Sequence, residues 1–103
     1  MTTSTEVSNG VELKSLSPGS QVDVETRSRH YRIEALGGNS MRISGHPRFC
    51  PNPTLAELQG SADQVGRFEA GRIEPGKHLV FLLDSESPVT TSEVVSVRVE
   101  SVN

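Results

Sequence analysis

Cysteine occurs once in this 103-residue sequence, tyrosine once, phenylalanine three times and tryptophan not at all. One cysteine, Cys50, excludes an intrachain disulfide framework and a multi-cysteine zinc knuckle. Few aromatics leave few platforms on which bases could stack. The longest uninterrupted apolar run is the five residues 79–83, far short of the ~20 needed to span a bilayer, and no basic segment followed by an apolar stretch opens the chain. We read the chain as soluble and cytoplasmic. A net charge of −3 excludes a global attraction to nucleic acid or anionic membrane. Missing too are a Gly-x-Gly-x-x-Gly turn, a P-loop and a Gly-x-Ser-x-Gly elbow, and the carboxylates form no visible pair. The sequence therefore assigns no catalytic residue, metal or cofactor and is read as that of a non-enzyme.

What is present is valine, the commonest apolar residue, with nine glycines and six prolines to punctuate it. β-Branched side chains suit a pleated, half-buried surface. Residues 1–10 are polar and read as a flexible tail, leaving 11–103 as a single domain. Strands are expected at 11–16, at 21–26 with Val22, Val24 and Thr26 inward, at 30–36 with Tyr31, Ile33 and Ala35 inward, and at 40–44. A weak strand over 67–73, interrupted by Gly71, precedes a central strand at 78–83. After a polar loop over 84–91, the last strand at 93–100 points Val95, Val97 and Val99 inward.

Ser17-Pro18-Gly19-Ser20 and Glu74-Pro75-Gly76-Lys77 have the chemistry of type II turns, and each leads into a strand. Matching the apolar faces of 30–36 and 40–44 requires an odd loop, Gly37 to Asn39, which sets Ile33 against Ile43 and Glu34 against Arg42. Residues 45–53 are too proline-rich for regular structure. Thr54-Leu55-Ala56-Glu57 matches a capping box with Gly60 as its stop, predicting one short helical turn near 54–60, and 61–66 reads as a linker. The fold expected is all-β: a small, partly closed antiparallel barrel of about six strands.

Between positions 27 and 48 stand five cations, Arg27, Arg29, Arg32, Arg42 and Arg48, against the single carboxylate Glu34. Arginine's planar fork suits phosphate and carboxylate, so with His46 these residues are the candidate ligand-binding set. The competing reading is a solvated outer face balanced by the acidic second half. Arg32 and Arg42 fall on the outer face of one hairpin, with the 27–29 turn and the 46–48 loop expected at its opposite ends. His46 and Cys50 are spaced His-x-x-x-Cys, yet no second ligand pair exists for zinc, and Cys50 between Phe49 and Pro51 also reads as an apolar plug.

An Arg-rich segment leading into a strand and then Arg42-Ile43-Ser44-Gly45 loosely resembles the PilZ domains, six-stranded barrels that bind cyclic di-GMP. The chain departs from that pattern: no two arginines between 27 and 32 have three residues between them, and Arg42 and Pro47 stand where the second motif has Asp or Asn and Gly. No residue is carried over. The function expected is a non-enzymatic interaction module for a protein partner or a small anionic ligand, with nucleotide or nucleic-acid binding as the alternative and a Cys50-dependent enzyme or redox sensor as a third class.

Overall fold

In the computed structural model, which describes residues 2–83 and 88–102, the period-two segments become antiparallel strands. In chain order these are β1 (Thr2–Glu6), β2 (Val11–Glu12), a 3-10 turn (Leu13–Ser15), β3 (Gln21–Thr26), β4 (His30–Gly37), β5 (Ser40–Ser44), β6 (Thr54–Ala62), β7 (Phe68–Ala70), β8 (Arg72–Ile73), β9 (His78–Leu83) and β10 (Pro88–Val102). Strands β3, β4, β5, β6, β9 and β10 pair in that order, and β10 returns to β3, closing a six-strand hydrogen-bonded ring. The ring is not evenly barrel-like. β1 adds to β10, β7 adds to β6, and β2 with β8 forms a separate two-stranded sheet.

Alternation places one face of each ring strand inside. Val22, Val24, Tyr31, Ile33, Ala35, Met41, Ile43, Leu58, Leu79, Phe81 and Val97 make one buried cluster, with Cys50 plugged into it. Closure rests on β10, which pairs through its first part with β9 and through its second with β3. Register shifts after Thr90 and after Val94 let it serve both. Both Pro-Gly turns form as read, with the Ser20 and Lys77 amides donating to Ser17 and Glu74 carbonyls at 3.0 and 3.4 Å.

Several expectations are corrected. The helical turn near 54–60 is β6, the strand joining β5 and β7 along one edge to β9 along the other. There the Thr54 hydroxyl donates to the Asn52 carbonyl at 2.7 Å instead of capping a helix, while Ala56 and Leu58 face the core. A local cap worth about 1 kcal/mol is outweighed by pairing along both edges. Strand 11–16 is cut short because the chain turns to bury Leu13. The 1–10 stretch expected to be a flexible tail contains β1, paired with β10.

The β4–β5 hairpin has the expected partners, Ile33 with Ile43 and Glu34 with Arg42, but Gly37 pairs with Ser40 across a bulge, so the loop is Gly38-Asn39. The bulge in β10 turns Val95 outward to 55% exposure and Val94 inward. Ser61 and Ala62, expected in a linker, end β6. The break at Gly71 divides β7 from β8, which pair with different strands. Of the expected polar loop, 88–91 belongs to β10 and 84–87 lies outside the described residues.

Candidate functional site

The turn joining β3 to β4 is organised by one hydroxyl. Thr26 Oγ1 accepts from the Ser28 and Arg29 amides at 3.3 and 3.0 Å and donates to the Arg29 carbonyl, while the Thr26 amide also donates to that carbonyl at 2.8 Å. Such side-chain-to-backbone bonds stabilise a tight turn without help from a sheet. They fix the Cα positions of Ser28 and Arg29 and leave both side chains outside, exposed.

Beside this turn lies the loop that follows β5. Gly45 approaches β4 so closely that a Cβ there would overlap the His30 carbonyl oxygen, and its φ of 128° lies in the region L side chains rarely adopt. Beyond it, the Gly45 amide donates to the Cys50 carbonyl and the Cys50 amide to the His46 carbonyl, at 2.9 and 3.0 Å. His46 Nδ1 accepts from the Arg48 and Phe49 amides at 3.1 and 3.2 Å. A nitrogen accepting two N–H groups carries no hydrogen, so His46 is the tautomer with its proton on Nε2. Burial, then the Arg29 and Arg48 charges, hold its pKa below the usual imidazole value.

Turn and loop meet at one end of the ring, around a depression of about 210 Å³ lined by Ser28, Arg29, Tyr31, His46, Thr90, Thr91 and Ser92. This corrects the expected arrangement: the 27–29 turn precedes β4 and the 46–48 loop follows β5, so both stand at the open end of the same hairpin. β10 supplies the far wall. There Thr91 Oγ1 accepts from the Leu79 amide at 3.0 Å, and Ser92 Oγ accepts from the Ser28 amide at 3.2 Å. Tyr31, 2% exposed, meets Phe81 edge-on with ring centroids 6.2 Å apart and also lines the depression. Burial raises its phenol pKa and Cys50 adds to this, while Arg29 opposes it.

The five arginines divide. Arg32 Nε donates to Gln21 Oε1 at 2.7 Å, and its other nitrogens lie 3.5 and 3.6 Å from Asp23 and Glu100. Arg42 pairs with Glu34 at 3.4 Å, and Arg27 with Glu93 at 3.2 Å. Arg32 and Arg42 share a second depression of about 140 Å³ on the outer face, lined also by Glu34. Among the described residues, neither Arg29 nor Arg48 is ion-paired to a carboxylate. The Arg48 guanidinium lies 5.9 Å from the centroid of the Phe49 ring, which in turn sits 4.6 Å from the His46 ring.

Cys50 is fully buried, and burial raises its thiol pKa against an opposing hydrogen bond with the His46 backbone. It packs as a plug, in a setting that disfavours the thiolate. Among the described residues no group of three or more His, Cys, Asp or Glu side chains is placed to hold a metal ion. Ser28, Tyr31, Thr90 and Ser92 join the candidate set only in three dimensions. One signal pointed to Tyr31: it is the lone hydroxyl-bearing aromatic at a core position that phenylalanine would fill. No protein-family model, no curated protein and no solved structure matches the chain.

Proposed function

We propose that the domain is a non-enzymatic binding module that receives an anionic group of its ligand or partner at the open end of the ring, through Arg29, Arg48 and neutral His46. One observation carries this reading: in an acidic chain whose other clustered arginines are matched to carboxylates, Arg29 and Arg48 are exposed and not ion-paired among the described residues. The depression beside Arg29 has no acidic lining residue, whereas the one shared by Arg32 and Arg42 contains Glu34. An arginine without a local carboxylate keeps its field and its donors for an incoming anion.

The test is a titration with tripolyphosphate of wild type, R29Q/R48Q and R32Q/R42Q. Wild-type affinity should fall as salt rises from about 50 to 200 mM, since each neutralised phosphate charge releases counterions. R29Q/R48Q should weaken binding at least tenfold, and R32Q/R42Q should leave it near wild type. Equal losses in the two double variants, or none in R29Q/R48Q, would overturn the proposal.

A nucleotide is a second reading, supported by Phe49. This ring is 50% exposed and bracketed by neutral His46 and the Arg48 cation, an apolar face beside a positive charge such as a base stacks on. If the base contributes, a nucleoside triphosphate should bind more tightly than tripolyphosphate, and F49A should remove the difference. Equal affinities would discard this version.

A further inference from the structure

We infer that the depression at the open end is a discrete site for one tetrahedral oxyanion, a phosphate or sulfate group, with the Tyr31 hydroxyl as the donor at its floor. The inference rests on the anion-binding reading above and adds to it a ligand geometry and a selecting residue.

The Tyr31 hydroxyl is the starting point. The residue is 2% exposed, yet its hydroxyl makes no hydrogen bond to any described residue. Among the described residues the one fully buried side-chain nitrogen or oxygen without a hydrogen bond is Asp23 Oδ1, so the Tyr31 hydroxyl oxygen keeps contact with solvent and can give its hydrogen to a ligand. It belongs to a ring that lines the depression, near enough to Arg29 for that charge to act on its ionisation. Burial keeps the phenol protonated at neutral pH, so it is available as a donor.

The surrounding groups are of the same kind. Arg29 is not ion-paired among the described residues, and His46, held neutral with its hydrogen on Nε2, lines the same hollow. Ser92 Oγ already accepts from the Ser28 amide, which leaves its own hydrogen to give, and Ser28 and Thr90 add two further hydroxyls to the lining. The lining comes from four places: the β3–β4 turn, the first residues of β4, the loop after β5, and β10.

A planar carboxylate is met edge-on by a single guanidinium. Donors around and beneath a hollow suit an anion whose oxygens point to the corners of a tetrahedron. The hollow, about 210 Å³, far exceeds the ~10–15 Å³ that admits one water, leaving room for such a group with some hydration.

The experiment is NMR-monitored titration of wild type and Y31F with inorganic phosphate, phosphoserine, sulfate and acetate. Wild type should bind phosphate saturably, with shifts centred on Ser28, Arg29 and Ser92, and acetate at least tenfold more weakly. Phosphoserine binding as tightly as phosphate would mark the group as the end of a larger ligand, and binding of phosphate alone would mark the free ion; either supports the site. Y31F keeps the ring against Phe81, should melt no lower than wild type in phosphate-free buffer, and should lose about tenfold or more in phosphate affinity, as expected for one hydrogen bond to a charged group.

Undiminished phosphate binding by Y31F, acetate binding as tightly as phosphate, or no saturable phosphate binding by wild type would each overturn the inference. Tripolyphosphate binding that still depends on Arg29 and Arg48 would then leave the broader module reading standing, whereas indifference to R29Q/R48Q would remove that reading itself.

Discussion

Arginines on the outer face of β4 and β5 and arginines at the open end of the same hairpin come from one short, basic stretch, but their surroundings differ. On the face, register supplies each with a partner: Asp23 lies across from Arg32, and Glu34 from Arg42. Off the strands no register exists: Arg27 still meets Glu93, but among the described residues Arg29 and Arg48 are ion-paired to no carboxylate, and both charges act on the neutral His46. The lesson is that composition identifies a basic segment, while the neighbours that the fold gives each residue decide whether its charge is spent internally. A cation on an antiparallel strand has cross-strand neighbours 4.5–5.5 Å away, at about the reach of an ion pair. One in a turn does not, and is paired where the fold brings a carboxylate beside it, as Glu93 beside Arg27, and not at Arg29.

The most damaging way to break the difference is to dismantle the open end. Gly45→Ala must fit a methyl against the His30 carbonyl at a φ of 128°. Positive-φ strain together with overpacking should cost about 2–4 kcal/mol, read as a lower urea midpoint at unchanged m-value. Gly38→Ala, in the loop at the other end of the hairpin, is the control: nothing lies within 4 Å of a Cβ there, so its cost should come from backbone conformation alone and be smaller. Equal losses in the two variants would mean that the close approach at Gly45 is unimportant.

A smaller effect is expected from Thr26→Val, which keeps the buried shape but removes the oxygen that receives the Ser28 and Arg29 amides. Leaving those donors without that partner should cost about 1–2 kcal/mol. The loss should fall on the turn, with faster amide exchange at Ser28 and Arg29, while the Glu34–Arg42 end of the hairpin stays protected. Tripolyphosphate affinity should drop as Arg29 loses its fixed position. Unchanged exchange would show that the turn is held by the strands and not by the hydroxyl.

How much of this was legible beforehand follows the same division. Alternation over 21–26, 30–36 and 40–44 identifies strands and inward residues because one buried face imposes period two, and the Glu34–Arg42 pairing follows from matching those faces. β6 is obscured because Thr54 to Glu57 satisfies a local helix-start pattern, whereas its strand state depends on β5, β7 and β9, distant in sequence. Val95 is misassigned because one bulge inverts the facing of the residues beside it, and nothing local in the Val94-Val95 pair announces which is inward. The residues Arg29, His46 and Arg48 are visible as candidates, but the expected arrangement put their two loops at opposite ends of the hairpin, whereas what precedes its first strand and follows its second shares the open end. The β10 wall, with Thr90 and Ser92, depends on ring closure and has no sequence signal.

The finest distinction between the two arginine sets is electrostatic and can be read at His46. Burial first, then Arg29 and Arg48, lower its pKa, so its titration midpoint, followed by the ring proton signals, should lie below the usual value of about 6.5. A folded-state pKa below the unfolded one means that the unfolded chain binds more protons in this range. The contribution of neutral His46 to stability is therefore complete above pH ~6.5 and lost as pH falls through the lowered value. The structural cause is specific: protonated Nδ1 cannot accept from the Arg48 and Phe49 amides, so those two amides should lose protection as the ring titrates. R29Q/R48Q should raise the midpoint toward the ordinary value and R32Q/R42Q should leave it alone. If the outer-face pair moved it as much, the arginines of the face and of the open end would form one field, and the contrast between them would collapse.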